Sequence, residues 1–147
     1  MPAIPNFAIR AVILVAFILT SAAALAAEVT VYKSPYCGCC GAWVDHMKAN
    51  GHQVKSINLE TLDAIKEMMG VTPPLQSCHT AMVDGYVIEG HVPAADVARL
   101  LKEKPKARGL AVPGMPVGSP GMEGPNPQKY DVLLFHADGR TEVFARH

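Results

Sequence analysis

The sequence has no surplus of charge: thirteen Lys and Arg residues are balanced by thirteen Asp and Glu over 147 positions. Without a basic excess there is no footprint for a phosphate backbone, which excludes nucleic acid as a partner class. No internal repeat is found, so a stacked repeat architecture is excluded as well. Beyond the first 27 positions there is no apolar run long enough to span a bilayer. Histidine is present six times, but His46, His52, His136 and His147 fall in separate segments with no metal-ligand spacing between them. Cysteine occurs only four times, and not as the two well-separated Cys-x-x-Cys pairs of a structural zinc site.

What is present begins with a leader. One cation, Arg10, precedes an apolar run from Ala11 to Leu19 and a cluster of small residues from Ser21 to Ala27. That layout is a secretory signal, and Ala24-Leu25-Ala26 supplies the small-x-small pattern for cleavage after Ala26. The competing reading is an uncleaved anchor, since Ala11 to Ala27 approaches the lower limit for a bilayer span. The short apolar region and the small residues after it favour cleavage. The expectation is therefore a signal peptide over 1–26, export to the periplasm, one domain over 27–147, and no membrane contact afterwards.

Glu28 to Ser34 alternates as a strand and stops at Pro35. Trp43, Val44 and Met47 recur at helical spacing between Cys39 and Asn50, with Gly51 placed to end the helix. His52 to Leu59 reads as a second strand, and Leu62, Ile65, Met68 and Met69 as a second helix ending at Gly70. His79 to Asp84 and Tyr86 to His91 form a hairpin about Asp84-Gly85. A third helix opens at Pro93 and carries Val97, Leu100 and Leu101. The order β-α-β-α-β-β-α predicts an α/β, thioredoxin-like single domain. Residues 107–130 hold five prolines and five glycines and read as a long loop bearing Met115 and Met122. Tyr130 to His136 and Thr141 to Ala145 close the chain as a β-hairpin.

The chemistry concentrates at Cys37-Gly38-Cys39-Cys40, three sulfurs at a strand-to-helix turn where free backbone N–H groups and the helix dipole favour thiolates. Cys78 lies just before the third strand, and in a thioredoxin-like arrangement the turn entering that strand faces the same helix start. Three readings compete for four converging sulfurs. Two structural disulfides are disfavoured, because adjacent Cys39 and Cys40 bond poorly and three sulfurs on one turn make weak long-range staples. Thiol–disulfide exchange would use the embedded Cys-x-x-Cys, with Cys37 attacking and Cys40 resolving, which leaves open whether the protein is an enzyme, thiol-based or copper-dependent. The third reading is a soft metal: packed thiolates suit bridging, low-coordinate Cu(I), with zinc second. Met115, Met122, His79 and His91 are secondary ligand candidates, of which Met115 and His79 are carried forward. Met47, Met68, Met69 and Trp43 read as packing.

Tyr36-Cys37-Gly38-Cys39-Cys40, Ser77-Cys78-His79-Thr80, Gly90-His91-Val92-Pro93, and Gly109 to Pro116 through Gly118 to Glu123 follow one another in an order that closely resembles the CopG family of periplasmic copper-resistance proteins. The resemblance covers nearly all of the chain after the leader. It implies a thioredoxin-like fold, periplasmic export, a role in copper homeostasis, and a centre holding several Cu(I) ions through bridging thiolates of Cys37, Cys39, Cys40 and Cys78. It further implies a redox role and other periplasmic copper-handling proteins as partners.

Overall fold

The computed structural model describes residues 27–147, so the expected signal peptide lies outside the described residues. Eleven elements follow in order: β1 (Glu28–Lys33), α1 (Gly38–Ala49), β2 (Gln53–Asn58), α2 (Asp63–Met68), a 3-10 turn (Pro73–Leu75), β3 (Thr80–Val83), β4 (Tyr86–Glu89), α3 (Ala94–Glu103), β5 (Gly109–Ala111), β6 (Asp131–Phe135) and β7 (Thr141–Arg146). All seven strands join one sheet in the order β2-β1-β3-β4-β5-β6-β7. β1 runs parallel to β2 and antiparallel to β3, β3 and β4 form the expected hairpin, and β4 pairs with β5 in parallel. The β-α-β-α-β-β-α order expected from the sequence is present and extended by three more strands.

Alternation along the strands sends side chains to two buried faces. Val29 and Val31 of β1, Ala81 and Val83 of β3, and Ile88 of β4 pack with Trp43, Val44 and Met47 of α1 and with Val97 and Leu100 of α3. Val87, Ala111 and Phe135 point the other way, onto Met69, Val71 and Leu75. The sheet is thereby covered on both sides, as a sheet with parallel pairs requires. The β3–β4 turn puts Asp84 at φ 46° and Gly85 at φ 82°, the paired left-handed conformations of the tight hairpin that Asp-Gly predicts.

Two expectations are corrected. Residues 107–130 are not loop throughout, since Gly109-Leu110-Ala111 forms β5 between β4 and β6. The glycine that lowers strand propensity is what admits the strand: a Cβ on Gly109 would lie 1.8 Å from the Val87 carbonyl oxygen. Met68 is not core but 73% exposed. The buried face of α2 runs through Lys66 and on to Met69, and Met68 falls one helical step off it.

Candidate metal centre

A short turn after β1, closed by the Cys37 N–H donating to the Ser34 carbonyl at 3.2 Å, delivers Cys37 to the N-cap of α1. Its Sγ accepts the Cys40 N–H at 3.3 Å. No acidic residue occupies the first turn of α1, so the sulfurs alone meet the positive end of its dipole. Cys78 comes from the opposite side, on the extended segment between the 3-10 turn and β3. Cys39 Sγ sits between the two groups, 3.4 Å from Cys37 Sγ and 3.8 Å from Cys78 Sγ. All four sulfurs fall within 4.8 Å of one another.

Cys37 and Cys40 are joined as a disulfide, while Cys39 and Cys78 are free. This corrects the picture of four simultaneous thiolates: in this state two sulfurs are bonded to each other, and the full donor set exists only after reduction. The pairing is the one available to the embedded Cys-x-x-Cys.

Burial, and then the neighbouring Cys39, push the Cys78 thiol up to about 12. Two buried histidines flank it. Its Sγ lies 2.9 Å from His91 Nε2 and 3.4 Å from His79 Nδ1. Burial lowers the pKa of both imidazoles, that of His79 further through His91 and Lys66. His79 packs against Trp43 of α1 in a tilted ring contact, 4.5 Å between centroids and 41° between planes.

The Cys78 segment is supported from beneath by a buried ion pair. Glu89, at the end of β4, accepts from Lys66 Nζ at 2.5 Å, from the Ser77 backbone N–H at 2.7 Å and from Thr80 Oγ1 at 2.6 Å. Desolvation raises the Glu89 pKa while Lys66 opposes the rise.

A strap formed by residues 112–123 crosses the centre and is clipped twice. Gly114 donates to the Gln76 carbonyl at 3.1 Å and accepts from Ser77 Oγ. Further on, the Pro120 carbonyl accepts from His91 Nδ1 at 2.8 Å. Gly121, at φ +86°, then passes so close to α1 that a Cβ would lie 2.8 Å from the Cys39 oxygen and 2.8 Å from the Trp43 nitrogen. Gly121→Ala is therefore expected to destabilise by on the order of 1–3 kcal/mol and to lift the strap. Faster alkylation of Cys39 and Cys78 by a bulky maleimide, alongside a lower Tm, would register both effects.

Of the residues singled out from sequence, the structure brings Cys37, Cys39, Cys40, Cys78, His79 and His91 together. Met115 follows the Gly114 clip directly and is 51% exposed; Met122 is half-buried in the strap. Lys66, Ser77 and Glu89 were not anticipated. A lysine and a glutamate 23 positions apart carry no local signal of pairing, although Glu89 at the end of an otherwise apolar strand was a visible irregularity.

A solved structure described as "Copper resistance protein copG- Form 2" is 41% identical, superposes with a TM-score of 0.79, and is matched over 83% of this chain and 98% of its own length. The chain belongs to the CopG family. A second CopG structure, described as "Copper resistance protein copG- Form 1", is also 41% identical, with a TM-score of 0.77 over 82% of this chain and 96% of its own. The family described as "Protein of unknown function, DUF411" matches residues 75–122, which in this CopG-family chain is the stretch from the turn before Cys78 through the strap to Met122. No curated protein matches. Among the described residues no helix is long and apolar enough to cross a membrane.

Proposed function

We propose that this CopG-family protein binds Cu(I) in the periplasm and contributes to copper tolerance, holding several ions through bridging thiolates of Cys37, Cys39, Cys40 and Cys78. The observation that carries the reading is the convergence of four sulfurs from two distant segments within 4.8 Å. The donor set fits a soft monovalent ion. Sulfur is the common donor, no carboxylate belongs to the four-cysteine group, and a compact cluster of thiolates suits low-coordinate bridging better than a tetrahedral zinc cage. Burial first, and then the neighbouring Cys39 sulfur, disfavour the Cys78 thiolate, and a bound cation offsets both. Met115, next in sequence to the Gly114 clip, is the thioether candidate, and His79 Nδ1, 3.4 Å from the Cys78 sulfur, a nitrogen candidate. The copper would be cargo passed to other periplasmic copper-handling proteins, with electrons where its oxidation state changes.

The test is metal analysis of mature protein purified anaerobically after growth with copper and zinc, paired with a free-thiol count. More than one copper per chain, with all four thiols protected, is the expected result; Cys78→Ser should lower copper retention and leave the fold intact. Zinc in place of copper, or unchanged stoichiometry and affinity in Cys78→Ser, would remove the respective part of the assignment.

The Cys37–Cys40 disulfide favours a second reading, thiol–disulfide oxidoreduction. That activity predicts turnover in a reduced-insulin assay by copper-free protein, lost on replacing Cys37 or Cys40.

A further inference from the structure

We propose that two clefts meeting at Arg108 form one docking groove for an extended segment of a partner protein, with an apolar side chain against Val71 and Pro73 and carboxylates on Lys106, Arg108 and Arg140. The docking is independent of the copper reading, since none of these residues belongs to the sulfur cluster.

The chain is neutral overall, but its cations are not spread evenly. Lys102, Lys104, Lys106 and Arg108 alternate within seven positions that hold one acid, Glu103. Glu103 is itself engaged by Arg99 at 2.8 Å. The β6–β7 turn brings Arg140 to the same place, and a cleft of about 540 Å³ lies between the two segments, lined by Lys106, Arg108, His136, Asp138 and Arg140. Three cations there face one carboxylate. Asp138 pairs with Arg140 at 2.7 Å, but both are exposed and such a pair is weak, so an incoming carboxylate can share that guanidinium. The Arg108 guanidinium is held in place, its Nε donating to the Met69 carbonyl at 2.7 Å. A fixed, planar guanidinium recognises a carboxylate by geometry as well as by charge.

Arg108 is also the seam to a second cleft. Its Nε lies 3.7 Å from where a Cβ on Gly70 would stand. Gly70 lines a cleft of about 410 Å³ together with Asp63, Glu67, Val71, Pro73 and Gln76, and Val71 and Pro73 give that cleft an apolar lining. Beside the seam stands Met68, 73% exposed, with its carbonyl 3.5 Å from Arg108 Nη2. An apolar anchor site next to an arginine cluster is a surface suited to an acidic peptide.

The lining selects the occupant. Asp63 and Glu67 would repel the phosphates of an anionic bilayer, and a concave cleft is poorly matched to a flat one. A free phosphate would use the cations and leave Met68 and the apolar cleft idle. A segment with an apolar residue on one side and acids on the other uses both, and Asp63 and Glu67 set its direction by opposing the reversed placement. The cationic cleft lies at the end of the sheet where β5 begins and β6 ends, away from Cys78, so a partner anchored there leaves the sulfurs uncovered.

The experiment probes mature protein, with no copper added, against an array of synthetic peptides carrying one central Leu, Met or Phe, with glutamates on one side, on both sides or absent; the tightest binder is then titrated by fluorescence anisotropy. Peptides acidic on one side only should bind best, and binding should weaken as salt rises. Lys106→Glu combined with Arg140→Glu should weaken that peptide by about tenfold or more, and Met68→Asp by several-fold. All three side chains are exposed, so these variants keep the wild-type Tm. Binding to no peptide, equal binding of acidic and glutamate-free peptides, or binding that survives the charge reversals would overturn the proposal. Sedimentation with phosphatidylglycerol vesicles in place of peptide binding would overturn it in favour of a membrane, and displacement of the peptide by inorganic phosphate at equal concentration in favour of an oxyanion site. Self-association abolished by the same reversals, without peptide binding, would make the occupant a second copy. A copper count on the variants should match wild type, which separates failure of the docking from failure of the copper reading.

Discussion

Replacing Lys66 by methionine is expected to destabilise the protein by about 3–5 kcal/mol at neutral pH, a large share of the stability of a domain this size. The substitution keeps most of the side-chain volume, so the loss is electrostatic. Lys66 and Glu89 are buried, and Lys66 is the only cation hydrogen-bonded to the Glu89 carboxylate among the described residues. Without it, Ser77 and Thr80 still donate to Glu89, but no positive charge compensates a carboxylate inside the sheet. Burial already raises the Glu89 pKa, and losing Lys66 raises it further. A carboxyl whose folded pKa lies above its unfolded value contributes stability at low pH and loses it as pH rises through the folded pKa. The deficit of Lys66→Met should therefore be greatest at neutral pH and shrink on acidification. Urea melts at several pH values check this, and a deficit that stayed constant with pH would mean the pair is not charged as described. Because the carboxylate also holds the Ser77 N–H, the variant should loosen the Cys78 segment before global unfolding, seen as faster amide exchange there.

The second large effect concerns redox state. Protein carrying the Cys37–Cys40 disulfide is expected to hold no more than one Cu(I), whereas fully reduced protein holds more than one. A disulfide sulfur has surrendered the charge that makes a thiolate a ligand, leaving Cys39 and Cys78, 3.8 Å apart, as the only thiol pair. Titration of both forms against a chromophoric Cu(I) chelator, without oxygen, measures the difference. Equal capacity in the two forms would show that Cys37 and Cys40 are not ligands and would strengthen the oxidoreductase reading. Reduced protein loaded with copper should also resist disulfide formation, because the thiolates are occupied.

Much of this arrangement was legible in the sequence where the signal is local. Periodicity placed α1 and α3, Asp84-Gly85 placed the β3–β4 hairpin, and the spacing of Cys37, Cys39 and Cys40 placed three sulfurs on one turn. Convergence of Cys78 followed from topology, since the order of the elements decides which turns face each other. The losses have physical causes of their own. β5 was hidden because composition averaged over 107–130 dilutes three strand residues among prolines and glycines, and because Gly109 is selected by contact with Val87 rather than by propensity. The Lys66–Glu89 pair spans two elements and has no period. Met68 and Met69 are adjacent in sequence and similar in chemistry, so reading both as packing counted the exposed residue along with the buried one. His91 was visible as a residue, but its hydrogen bond goes to the Pro120 carbonyl, a backbone atom that no side-chain pattern encodes.

The position of β5 governs how the strap can move. The strap lies within the segment 112–130, whose two ends enter neighbouring strands, β5 and β6, hydrogen-bonded to each other in the interior of the sheet. The strap is thus a handle riveted at both ends, with the entropy of closing it already met by the sheet. It can arch away from the sulfurs but cannot swing clear like a one-ended flap. On the copper reading proposed above, the expected route for the ion is sideways, along the flank where Tyr36 stands 85% exposed next to Cys37, beneath a bridge held at both ends.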